Sequence, residues 1–196
     1  SSLSGGDRRS IGESNRAVST VLESPELISV LFQGVETDDP VLRMRCTDAI
    51  EKVTTTHPEL LVPFKNAILN RLSKIEQHEV RWHIAPILTR LTLTEAEETT
   101  VFNLLLSYTN DRSSIVKTMA MQALTDIALR SPRLLPEIKQ HIKELSAIGT
   151  PAMKARSKKL LKALANKVMA NPALNLAPFG HWTLRDEAAQ RRSALR

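Results

Sequence analysis

The sequence predicts an all-α fold, a solenoid of stacked helical hairpins. Three observations carry this reading. Glycine is scarce, with 6 in 196 residues, which suits helices because each interior glycine costs about 1 kcal/mol against alanine. Apolar residues recur at helical spacing along most of the chain. The helical pattern itself repeats with a period near 37 residues, and internal repeats of this length mark solenoids.

The register is fixed by Leu42, Val80, Val116 and Met153, which stand 38, 36 and 37 residues apart. A basic residue follows each one: Arg43, Arg81, Lys117 and Lys154. Four residues on come Cys46, Ile84, Ala120 and Ser157. Seven and eight on come Ala49-Ile50, Ile87-Leu88, Ala123-Leu124 and Leu160-Leu161. Offsets of four, seven and eight lie on one face of an α-helix. A second marker lies 16 residues after Leu42 and Val116, at Pro58 and Pro132. Proline is tolerated in a helix's first turn, where its missing N–H has no partner to lose. In the repeat that begins at Val80, the Thr94-Glu95-Ala96-Glu97 capping box takes that place. Ser24-Pro25-Glu26-Leu27-Ile28 repeats the marker upstream.

Each repeat is therefore a helix pair. The pattern predicts first helices near 39–55, 77–91, 113–130 and 151–169, second helices near 60–73, 94–108 and 134–147, and an N-terminal pair near 12–22 and 25–34. Asp39-Pro40 and Thr150-Pro151 are N-cap-plus-proline starts. Pro86 falls inside a first helix, which predicts a kink.

With residues 111–124 (Asp-Arg-Ser-Ser-Ile-Val-Lys-Thr-Met-Ala-Met-Gln-Ala-Leu) as its best example, the pattern resembles the HEAT-repeat family over roughly residues 38–165. Trp82 and Pro86 depart from it, and the last repeat lacks a clear second helix. The resemblance implies a right-handed α-α superhelix, armadillo-like, of about four to five helical-hairpin repeats, with the second helices on the concave side. It also implies a role in binding protein partners as a scaffold, without catalysis or a cofactor. In such repeats the recurrent basic residue commonly reaches an acidic or carbonyl oxygen of a neighbouring repeat, so Arg43, Arg81 and Lys117 are expected to be structural. A ladder facing an acidic partner is the other reading.

Candidate catalytic groups are few. No GxGxxG, P-loop or GxSxG motif is present. Cys46 occupies a small-residue core position, as a buried structural thiol would. His78 and His83 are five apart and do not share a face as two metal ligands in HExxH do. His141 and His181 have no evident partner, and no metal site is expected. The alkylpurine DNA glycosylases are HEAT-like enzymes, but flipped bases need stacking platforms and only 4% of this chain is aromatic.

The charge is lopsided. Residues 152–196 hold 10 of the chain's 27 basic residues and 2 of its 21 acidic ones, a net of +8, which leaves 17 and 19 for residues 1–151, a net of −2. Lys154, Arg156, Lys158, Lys159, Lys162 and Lys167 crowd the last repeat helix beside an apolar stripe of Leu160, Leu161, Leu164 and Val168. This leaves four readings open: nucleic-acid phosphates, an acidic protein, anionic lipid, or a solvated terminal cap. The chain divides into residues 1–11, disordered or derived from cloning; 12–170, the repeat domain; and 171–196, a linker with a short helix after Thr183. Within that last segment Phe179 and Trp182 either pack back or dock another chain. With no apolar leader-like stretch and no membrane-length apolar run, a cytoplasmic or nuclear location is expected.

Overall fold

The computed structural model describes residues 14–170, with side chains to Lys167. Residues 1–13 and 171–196, with Phe179, Trp182 and the helix expected after Thr183, lie outside the described residues. The described residues are almost wholly helical and contain no strand. Nine α-helices form among the described residues: α1 (Ser14–Glu23), α2 (Ile28–Val35), α3 (Pro40–Thr56), α4 (Lys65–Asn70), α5 (His78–Arg90), α6 (Glu95–Tyr108), α7 (Ser114–Arg130), α8 (Leu135–Ile148) and α9 (Pro151–Ala170). The chain divides into two compact units, 1–164 and 165–196. In the first, the described residues are 14–164. In the second they are 165–170, the end of α9.

Local chemistry sets where the helices begin. The Asp39 carboxylate accepts from the amides of Val41 (2.8 Å) and Leu42 (3.2 Å), satisfying two orphan donors at the head of α3. At α6 the capping box closes both ways: the Thr94 amide donates to Glu97 Oε2 (2.7 Å), and the Glu97 amide to Thr94 Oγ1 (3.3 Å). Ser113 caps α7 through the Val116 amide, and the Thr150 hydroxyl accepts from the Met153 amide in α9.

Prolines act according to position. Pro136 is the second residue of α8, where no amide hydrogen is needed, and the helix proceeds. Pro63 lies five residues after Pro58, so the helix expected over 60–73 breaks into a 3₁₀ stretch (Pro58–Phe64), the short α4 and a 3₁₀ turn (Leu72–Lys74). The missing Pro63 N–H leaves the turn before it without its α-helical bond. Pro86 does not end α5, which is helical from His78 to Arg90.

The repeat register is the core register. Offset four (Cys46, Ile84, Ala120, Ser157) is buried in every repeat, and so is offset seven (Ala49, Ile87, Ala123, Leu160). Offset eleven adds Val53, Leu91, Ile127 and Leu164. Buried Ser157 satisfies its hydroxyl on the Met153 carbonyl (2.8 Å), as a polar group in a dry layer must. Within the first unit, α3 packs on α1, α5 on α3 and α7 on α5. The second helices flank this series, with α2 against α3 and both α6 and α8 against α7. Gly34 lets α2 approach α3 closely, because a Cβ there would overlap Cys46 Sγ.

Candidate functional site

The four recurrent basic residues divide into two pairs. Arg43 lies half-buried and grips the Thr37 carbonyl with both Nε (3.1 Å) and Nη2 (2.6 Å), while Nη1 reaches Gln77 Oε1 (3.4 Å). Arg81 repeats the scheme one repeat later. Its Nε donates to the Ile75 carbonyl (3.1 Å), again six residues back, and its Nη1 to Asp111 Oδ2 (2.7 Å). Its guanidinium also lies 5.3 Å from the centre of the Tyr108 ring. Each arginine thus ties the loop before its own helix to the loop before the next first helix. Lys117 and Lys154 take no hydrogen bond or ion pair among the described residues. A lysine has no planar fork with which to hold two acceptors.

Asp111 is the focus of one seam. Its carboxylate is buried and accepts from the Ser113 amide (2.8 Å) and Arg81 (2.7 Å), with His78 Nδ1 2.7 Å away. Burial pushes this carboxyl up, but the Ser113 amide, Arg81 and His78 together outweigh it and hold the group below its ordinary 3.8. A second focus is Glu51, bonded by His83 Nδ1 (2.7 Å) and flanked by Arg90, whose Nη1 donates to the Glu51 carbonyl (2.5 Å) and to Thr54 Oγ1 (2.9 Å). The two histidines thus serve different carboxylates. His141, for which the sequence offered no partner, lies 2.9 Å from Thr109 Oγ1, and burial lowers its pKa against the opposing pull of Glu144. His181 lies outside the described residues. No three metal-ligating side chains cluster among the described residues. Cys46 is buried, and desolvation pushes its thiol up to about 11.

The basic helix α9 also separates into two parts. Met153, Ser157, Leu160 and Leu164 form its buried face. Leu161 is only half-buried, and the side chain of Val168 lies outside the described residues. Arg156 turns toward α7, donating to Gln122 Oε1 (3.1 Å) with Asp126 nearby. Lys154, Lys158, Lys159 and Lys162 are exposed and have no bonded partner among the described residues.

Spacing within one helix could not reveal a further feature. Glu36 of the N-terminal pair meets Arg71 at 2.8 Å, 35 residues on, and Glu98 meets Arg133 at 2.8 Å, also 35 residues on. A search for opposite charges one repeat apart would have found both. The Glu36–Arg71 pair borders an open depression of about 400 Å³ lined by Val35, Glu36, Arg43, Arg71, Leu72 and Ile75. Beside it the Phe32 and Phe64 rings stack with centroids 3.9 Å apart. No helix among the described residues is long and apolar enough to cross a membrane.

No family model, no curated protein and no solved structure matches the chain.

Proposed function

We propose that the chain is a non-catalytic scaffold of HEAT-like helical-hairpin repeats, an α-solenoid that mediates protein–protein interaction. One observation carries the reading: side-chain bonds join residues 30 to 39 apart, from Arg81–Asp111 to Arg90–Glu51, at one seam after another. Lys52–Asn15, Arg71–Glu36, Tyr108–Ser73, Arg133–Glu98 and Arg156–Gln122 belong to the same series. Each repeat touches its sequence neighbours, the nearest-neighbour pattern of a repeat stack. Stacks of this kind offer long shallow surfaces, which suit another protein better than a small substrate. The depression edged by Glu36 and Arg71, with Phe32 and Phe64 beside it, is the part of that surface with the aromatic and arginine character typical of interface hot spots.

The test is capture of partners from nuclease-treated lysate on the full chain, followed by titration calorimetry with the purified partner. Retention of a protein whose binding weakens more than about tenfold with Arg71→Glu supports the scaffold and locates its surface. Failure to retain any protein after nuclease treatment overturns the reading.

A further inference from the structure

We propose that the exposed lysines of α9 form a sequence-independent site for the phosphate backbone of a nucleic acid. Lys154, Lys158 and Lys162 stand four residues apart on one helical row, with Lys159 three residues from Lys162 and alongside it. Successive ammonium groups on the row are separated along the axis by about 6 Å, four residues at 1.5 Å each. This is a regular linear array of positive charge.

Its setting argues against a merely soluble cap. The helix carries six basic residues and no acidic one from Pro151 to Ala170. Like charges four apart repel and weaken the helix that carries them, and cations near a helix N-terminus oppose its dipole. Mixed charge would give solubility without either penalty. Elsewhere the chain uses mixed charge: α6 opens with Glu95, Glu97 and Glu98, and Lys65 and Arg133 pair with Glu97 and Glu98. On the solvent side of α9 nothing among the described residues neutralises the row.

The same geometry selects among anions. A membrane surface would need large apolar side chains exposed beside the lysines to enter the lipid, but Met153, Leu160 and Leu164 are buried in the protein core and Leu161 is half-buried. Recognition of carboxylates favours the bidentate arginine fork, yet the one arginine here, Arg156, is turned to Gln122. Lysines act on phosphates as hydrated point charges, and a repeating phosphate chain suits a repeating row of them. Nothing aromatic stands on this stretch to stack or read bases, so affinity would come from counterion release. This site would act whether or not a protein docks on the second helices.

The experiment is fluorescence anisotropy of the full chain with a labelled mixed-sequence duplex, in a salt series. Polyglutamate and phosphatidylserine vesicles serve as competitors. Four phosphate contacts predict a slope of log K against log salt of about −3.6, roughly a hundredfold loss between 50 and 200 mM salt. The triple variant K154Q/K158Q/K162Q should reduce the slope by about 2.7 and weaken binding more than about tenfold at low salt, while its thermal midpoint is no lower than the parent's. The charge-reversed triple, K154E/K158E/K162E, should abolish binding. Duplex binding that the neutral triple leaves unchanged would overturn the site. So would absence of duplex binding at low salt, or displacement of the duplex by polyglutamate or vesicles at equal charge concentration.

Discussion

Alanine at Gly34 should destabilise the protein, and the same substitution should be markedly less costly in a chain that lacks the Cys46 thiol. Gly34 lies in α2 with its backbone against α3, and a methyl built there overlaps Cys46 Sγ and sits 3.3 Å from Cys46 Cβ. Two effects compete. Relief of glycine's conformational freedom in a helix favours alanine by about 1 kcal/mol. Forcing a methyl into a packed layer costs about 1–3 kcal/mol. The Sγ atom can swing about its single torsion, but Cβ cannot leave, and Leu42 Cγ closes a third side at 3.9 Å. The clash should therefore prevail, with a net loss of about 1 kcal/mol. Cys46→Ala alone removes one buried heavy atom and should cost about 1 kcal/mol. In that background the Sγ overlap is gone while the 3.3 Å approach to the Cβ of residue 46 stays, so Gly34→Ala should cost less than in the parent, by up to about 1 kcal/mol. Urea unfolding of the four proteins, followed by far-ultraviolet circular dichroism, gives the coupling directly. Equal effects of Gly34→Ala with and without the thiol would refute the packing argument.

Three further expectations follow from the same kind of reasoning. The Asp111 carboxyl is held below 3.8 in the fold, so the stability it contributes is complete above that pH and is lost as pH falls through its folded value. Asp111→Asn should lower the thermal midpoint at neutral pH and flatten its decline in acid, and an unaltered acid decline would contradict the seam described. With its thiol raised to about 11 and buried, Cys46 should resist Ellman's reagent in the folded chain and react fully in denaturant. Rapid labelling without denaturant would show the layer to be open. Thr94→Ala removes one half of the α6 capping box and should cost about 1 kcal/mol in denaturant unfolding, with Thr94→Ser close to the parent; equal losses from both would mean that the hydroxyl bond contributes nothing.

What could be read directly was local. Asp39, Thr94, Ser113 and Thr150 announce helix starts because a cap is a bond between residues two or three apart, written in adjacent letters. The buried face could be read for a similar reason, since offsets four and seven of the period repeat through one helix after another. The break at Pro63 was missed because Pro58 and Pro63 compete for the same helix start, and the outcome depends on the tightness of the intervening turn. The partners of His141, Glu51 and Arg71 could not be read from the spacing within one helix. Each lies about one repeat away, and a contact of that kind exists only after two hairpins have packed. The basic cluster of α9 was visible as composition, but composition could not separate Arg156, which bonds Gln122 of α7, from the lysine row, which has no bonded partner among the described residues.

That separation extends to the whole basic ladder. A single sequence position, one residue after each register leucine, valine or methionine, carries two chemistries. At Arg43 and Arg81 the planar fork holds a carbonyl six residues back and an acceptor in the next loop, which leaves little of the guanidinium for an outside ligand. An acidic partner laid along those two residues would have to break bonds that hold the seams. At Lys117 and Lys154 the compact ammonium makes no such bond among the described residues. Lys154 stands in series with Lys158 and Lys162. Within the ladder, the positive charge not engaged in such bonds thus lies at Lys117 and Lys154, while Arg43 and Arg81 are engaged in joining one helix pair to the next. A protein docked beside Glu36 and Arg71 and a phosphate chain on α9 would engage different side chains, so substitutions at one surface should leave affinity at the other unchanged, and a double variant should show the sum of the two separate losses.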